Sequence, residues 1–178
     1  MARSFPHNNL FSNICSYFLR TVAEIACATN GFNFLCQALK QTDLDDKLDD
    51  LNTNFTVFAP GDSAFHDVLN DLEVDDIYEC PKETLRELLL LHIREHIHED
   101  DVINKNGLEH RCGELLEMAS GDKTRTICKN DPSRIFQKGA GNSDSDKPRV
   151  VTFDIDSCNG IIHVVDKVIL PRYVRVSL

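Results

Sequence analysis

The stretch Thr56-Val57-Phe58-Ala59-Pro60-Gly61-Asp62-Ser63-Ala64-Phe65 constrains the fold most. Thr56, Val57 and Phe58 suit a strand, because β-branched and aromatic side chains fit a pleated surface. Pro60 has no amide proton for a sheet ladder, so the strand ends there. Asp62 then stands where its carboxylate can accept from the first free N–H groups of a helix over residues 63–72. The segment is a strand-to-helix corner.

Elements of both kinds flank it. Leu19, Val22, Ile25 and Ala26 form one helical stripe, and Asn30-Gly31 stops that helix, since both residues tolerate positive φ. Phe32, Leu35, Cys36 and Leu39 continue on a second helix, giving a helix pair with a tight joint. Pro81 opens a further helix, and residues 82–97 place Leu85, Leu88, Leu89, His92 and His96 on one stripe. The segments 114–119 and 123–129 flank Ser120-Gly121-Asp122 and predict a β-hairpin, which brings Cys112 and Cys128 near each other. Residues 130–149 read mainly as loop. Strands are expected at 150–155 and 160–170, the latter central and covered on both faces. Helices come first and strands gather late, so the fold class is α+β.

The chain has 178 residues, enough for one domain with a real core, and 42% are hydrophobic. It carries 29 Asp and Glu against 19 Lys and Arg, a net charge of −10. General affinity for nucleic acid or for an anionic membrane is not expected of such a chain. No stretch is long and apolar enough for membrane insertion as a helix. Seven cysteines are dispersed, with no C-x-x-C pair, which favours disulfides over a zinc ribbon and implies an oxidising compartment. No signal-peptide core stands at the N-terminus, so the chain is expected to be an excerpt of a larger secreted protein.

Several patterns in the chain could carry chemistry. His92-Ile93-Arg94-Glu95-His96 matches the H-x-x-E-H pattern of zinc hydrolases, in which two histidines on one helix face hold the metal. Histidines set among leucines also serve as hydrogen-bonded core residues, and that reading is preferred. The acidic run Asp43–Asp50 lacks the glycine and glutamate of a calcium loop, and the alternation Asn142, Asp144, Asp146 has no glycine at the sixth position, so both read as solvated segments. His98 to Asp101 reads as an exposed polar end. Asn54-Phe55-Thr56 is an N-glycosylation acceptor pattern. No nucleophile elbow and no nucleotide-binding glycine loop occurs, so no catalytic residue, cofactor or metal is expected.

The chain resembles a fasciclin-like domain. One family box is Thr56-Val57-Phe58-Ala59-Pro60-x-Asp62-x-Ala64-Phe65. The other is Asn159-Gly160-x-Ile162-His163-Val164-Val165-Asp166-x-Val168-Ile169-Leu170-Pro171. Leu88-Leu89-Leu90-Leu91-His92 is similar to the family's L-L-x-Y-H segment. The family's usual Thr before the motif aspartate is Gly61 here, and its tyrosine before the histidine is Leu91. The contexts FNFLC, RCGELLEMASGD, FQKGAGNSD and SCNGIIHVVD look most like algal, diatom-type members. The resemblance covers residues 19–172, with 1–18 as a partly loose leader and 173–178 as a tail.

The resemblance implies a wedge: a β-sandwich core with helices packed around it. The motif residues would be a folding signature, with Asp62 and one of His92 or His163 hydrogen-bonded in the core. The implied function is a secreted or cell-surface adhesion and matrix-interaction module, without catalysis. Its partners would be matrix or cell-surface protein or glycan, or other copies of itself. A carbohydrate-binding module of a wall or mucilage is the second reading, and a small zinc hydrolase the third. Beside Cys112–Cys128, Cys27, Cys36, Cys80 and Cys158 would form two pairs. Three connectivities are open, of which Cys36–Cys80 with Cys27–Cys158 is preferred, and Cys15 is left as the odd thiol.

Overall fold

A computed structural model describes residues 20–71, 73–96, 101–129 and 134–172. Helix α1, Val22–Ala28, starts at a capping box: the Thr21 hydroxyl accepts from Glu24 N, and the Glu24 carboxylate accepts from Thr21 N. Gly31, at φ 93°, takes the turn into α2, Asn33–Gln41. A short α3, Asp45–Leu48, buries Leu44 and Leu48. Strand β1, Asn54–Pro60, runs into α4, Asp62–Asp71, so the corner forms as expected. A 3-10 turn, Ile77–Glu79, leads to α5, Lys82–Leu90, and then to β2, Ile93–His96. Helix α6, Lys105–His110, precedes β3, Leu115–Glu117, and β4, Lys123–Cys128. Strands β5, Ile135–Lys138, β6, Val150–Ser157, and β7, Gly160–Val165, follow.

The class is α+β, with two sheets. One has the order β2-β1-β7-β6 and the other β3-β4-β5. The two motif strands, β1 and β7, lie side by side and parallel, with Phe55 opposite Gly160 and Pro60 opposite Val165. Both are central in their sheet, and the period of two assigns their faces. Phe55, Val57, Ala59 and Ile162 pack with the helices, against Val22, Leu35, Leu39 and Leu89. Phe58 and Val165 point the other way, into a second cluster with Leu116 and Ile135 of the smaller sheet. The motif strands are thus covered on both faces, by helices on one side and a second sheet on the other.

Three segments depart from expectation. The helix over 82–97 ends at Leu90, and Ile93–His96 pairs antiparallel with β1. The open edge of β1 offers four residues of ladder pairing, which outweighs helical periodicity there. Within 130–149, Ile135–Lys138 is a strand, paired to β4. The strand expected over 160–170 stops at Val165. Val168, Ile169 and Leu170 are buried without a ladder beyond it, so their backbone groups need side-chain partners.

Candidate functional site

Those partners are the first part of the candidate site. The Nε2 of His92 accepts from Ile169 N at 2.8 Å, which leaves Nδ1 protonated and donating to Leu88 O at 2.8 Å. Asn142 takes two more: its Oδ1 accepts from Leu170 N, as well as from Gly139 N, and its Nδ2 donates to Val168 O, while Leu170 O accepts from Gly141 N. The backbone must approach closely here, and a side chain at Gly141 would meet Pro171 O. The motif's Pro171 therefore follows a segment held by His92 and Asn142.

A second set links the motif strands to the loop before α6. Thr56 Oγ1 accepts from Ile103 N at 2.9 Å and lies 2.9 Å from His96 Nε2. His163 Nε2 donates to Ile103 O at 2.7 Å, while its Nδ1 accepts from Asp154 N. Ile103 is clipped on both sides, by one side chain from β1 and one from β7. Asp154 sits at φ 56° within the irregular part of β6 and also accepts from Lys105 N. The His163 ring packs against Phe58 and Phe153.

Asn159 forms the third set. Its Oδ1 accepts from Val22 N, and its Nδ2 donates to Leu48 O and Asp50 O. One side chain thereby ties α1, the end of α3 and the turn into β7. Asp166 accepts from Arg149 N through its carboxylate. Val164 packs on the helical cluster, and Phe65 is buried against Phe34.

Asp62 behaves otherwise than expected. It is the first residue of α4, not its cap, and its carboxylate accepts from Phe34 N and the Asn33 side chain, at the start of α2. It is half-buried and does not reach either core histidine.

The H-x-x-E-H reading is corrected by the strand. Its two histidines do not share a helix face, and the ring nitrogens that would bind metal are engaged with Ile169, Leu88 and Thr56. Burial pushes both imidazoles down to about 4. Burial lowers His163 as well. The calcium alternation also disperses: Asn142 points inward, Asp144 pairs with Lys138 and Asp146 with Lys167. In the acidic run, Asp49 accepts from the Thr21 hydroxyl and Asp50 from Asn52 and Thr53. Among the described residues no group of three ligating side chains gathers. His98, Glu99 and Asp100 lie outside the described residues. In the glycosylation pattern, Asn54 begins β1 half-buried and Thr56 is fully buried.

The cysteines form one of the expected pairs and replace the other two. Cys112–Cys128 is a disulfide, closing the β3–β4 hairpin region as expected. Cys27, however, bonds Cys36 across the α1–α2 joint, with Cα atoms 4.8 Å apart. That joint already sets the two helices within bonding distance, so neither Cys36–Cys80 nor Cys27–Cys158 forms. Cys158 is disulfide-bonded. Cys80 is a free, half-buried thiol, pushed up chiefly by burial and then by Glu79 and Asp76. Cys15, expected as the odd thiol, lies outside the described residues. The anchoring role of Asn142, singled out only in the calcium-like alternation, and that of the Ile103 backbone were not anticipated.

Comparison with known proteins places this geometry. The family model of the fasciclin domain matches residues 30–171. Protein sll1483 of Synechocystis sp. is 29% identical over 152 residues, which span 85% of this chain and 73% of that protein. Among solved structures, a FAS1 domain pair from the insect cell adhesion molecule Fasciclin I superposes with a TM-score of 0.68 at 19% identity. The match covers 85% of this chain and 51% of that one, so this chain spans about half the length of the solved pair. At that identity the likeness is one of fold.

Proposed function

This chain belongs to the fasciclin-domain family, and we propose on that footing that it is an extracellular adhesion or matrix-interaction module acting through its surface, without catalysis. One observation carries the reading. Thr56, Asn159 and His163 of the two motifs, and His92 of the segment between them, are buried and hydrogen-bonded to backbone. Buried polar groups that are fully partnered serve the fold. What the motifs build is a scaffold, and contact with partners is left to the exposed faces.

The compartment argument agrees. Cys27–Cys36 and Cys112–Cys128 need an oxidising environment to form and persist. Among the described residues no helix is long and apolar enough to cross a membrane. The relative named as a cell adhesion molecule supports the same reading by its fold. The test is adhesion of beads coated with the chain, made through a secretory pathway, to extracellular matrix and to cells. Retention above that of beads coated with an unrelated disulfide-bonded domain is expected. Equal retention would remove the adhesion reading.

A further inference from the structure

Charge on this chain is segregated. Residues 111–149 carry eight Lys and Arg against six Asp and Glu, while the rest of the chain carries 11 against 23. The basic part is the small sheet, and its pleat sorts the charges by face. Thr124, Thr126, Ile135 and Gln137 point inward and are buried, with Gln137 bonded to both threonines. Lys123, Arg125, Ile127, Phe136 and Lys138 occupy the opposite parity and face outward, with Leu115 opposite Arg125 and Glu117, the one carboxylate of β3, opposite Lys123.

Phe136 organises this outer face. Lys129 lies 5.7 Å and Lys147 5.2 Å from its ring centre. Arg149 is bridged to it across the gap between the sheets, and is exposed. Attraction between an ammonium group and a ring face orders two long side chains before any ligand arrives. Ordering in advance lowers the entropic cost of binding. Lys138 is paired with Asp144, but no carboxylate among the described residues lies within ion-pair distance of Lys123, Arg125, Lys129 or Arg149.

We propose that the outer face of the β3–β4–β5 sheet docks an acidic polysaccharide, one bearing carboxylate or sulfate groups, along the strip of cations around Phe136. The proposal rests on the extracellular adhesion reading, because that reading decides which polyanions the face meets. Charge complementarity favours a polyanion, and the net charge of −10 favours a polymer over a second copy. A second copy brings its own negative charge, which opposes approach at the low salt where a basic strip attracts most. A flexible chain can touch the strip alone. Lys123, Arg125 and Lys138 sit on ladder positions, Lys129 just past the end of β4, and Lys147 and Arg149 just before β6, a spaced arrangement suited to repeated single charges.

The experiment measures binding of the whole chain to immobilised alginate, dextran sulfate and neutral dextran, at 50 and 200 mM NaCl. Binding to at least one charged polymer and none to neutral dextran is expected, weakening on the order of tenfold between the two salts. The variant K123Q/K129Q/K147Q should lose about tenfold or more at low salt, with its melting temperature unchanged. The control K40Q/K47Q/K82Q, which removes the same charge from the helical side, should bind as the parent does. No binding to either polyanion, or equal losses in the two triple variants, overturns the proposal. Coated beads that cluster without any polymer, and lose this in the first triple variant, would assign the face to a second copy and overturn it too. Beads that still adhere to matrix when polymer binding fails leave the adhesion reading standing, so the two failures are distinguishable.

Discussion

Asp62 caps a helix to which it does not belong: its carboxylate accepts from the Phe34 backbone N–H at 3.0 Å and from the Asn33 side chain at 2.7 Å. Helix α2 has no cap of its own, since Phe32 stands at its N-cap position. Its free N–H groups need an acceptor, and the strand-to-helix corner delivers one across the joint. The Asp62 N–H donates back to Gly31 O at 2.8 Å, which closes the contact. Asp62→Ala should therefore lower unfolding free energy by about 1–2 kcal/mol, while Asp62→Asn keeps the Phe34 bond and loses less. Urea unfolding followed by circular dichroism reads both. An unchanged midpoint for the alanine variant would leave the contact without energetic weight.

His92 makes stability depend on pH. Burial lowers its pKa to about 4, against 6.5 for an ordinary imidazole. Between those values the unfolded chain binds the proton and the folded chain does not. Stability from this residue is thus complete above about pH 6.5 and falls as pH drops toward 4, with no further loss below. The gap corresponds to about 3 kcal/mol. His96 and His163 act in the same direction. Urea midpoints measured from pH 7.5 to 4 should decline through this window. In His92→Leu the decline should be shallower, and neutral-pH stability should drop by about 2 kcal/mol because Ile169 N–H loses its acceptor.

His92 also marks the boundary of what local pattern can reveal. The corner at Pro60, the α1–α2 pair and the hairpin that joins Cys112 to Cys128 all rest on neighbours in sequence, and each was legible. The change from helix to strand between Leu90 and Ile93 was not, because β2 exists only by pairing with β1. Strand β5 lay hidden among Pro, Gly and Asn for the same reason: its ladder partner is β4. Asn142 read as part of a solvated loop, because its calcium-like alternation lacks the glycine, yet two of its partners lie 26 and 28 residues away in the chain. The outer face of the small sheet becomes visible as a basic strip only once β4 and β5 are in register.

The cysteines give a direct chemical check. Peptide mapping without reduction should return Cys27 joined to Cys36 and Cys112 joined to Cys128. Cys80 should be alkylated more slowly in the folded chain than after unfolding, since partial burial raises its thiol and shields it in part. Removing Cys112–Cys128, whose members are 16 residues apart, should cost about 3 kcal/mol by relaxing the unfolded chain. Recovery of a Cys36–Cys80 peptide would refute the assignment.

Asn159 and Gly160 together hold the start of β7, and they fail in different ways. Gly160 stands at φ 152°, and a Cβ there would lie 2.0 Å from Phe55 O, a backbone atom of the paired strand. Neither atom can move without parting β1 from β7, so Gly160→Ala should cost more than about 3 kcal/mol and reduce soluble yield. Asn159→Ala creates no clash. It instead strands Val22 N, Leu48 O and Asp50 O, of which the first two bonds are buried. A loss of about 2–4 kcal/mol is expected. Asn159→Asp restores the acceptor for Val22 but sets a carboxylate against two carbonyl oxygens, so it should be no better than alanine at neutral pH. Against the parent's own decline with acid, the aspartate variant should lose less, because protonation turns the carboxylate into a donor, while the alanine variant should decline as the parent does. Urea midpoints of the two variants at pH 7 and pH 5 decide the matter. Parallel behaviour across that range would mean that Asn159 acts by shape and not by its hydrogen bonds.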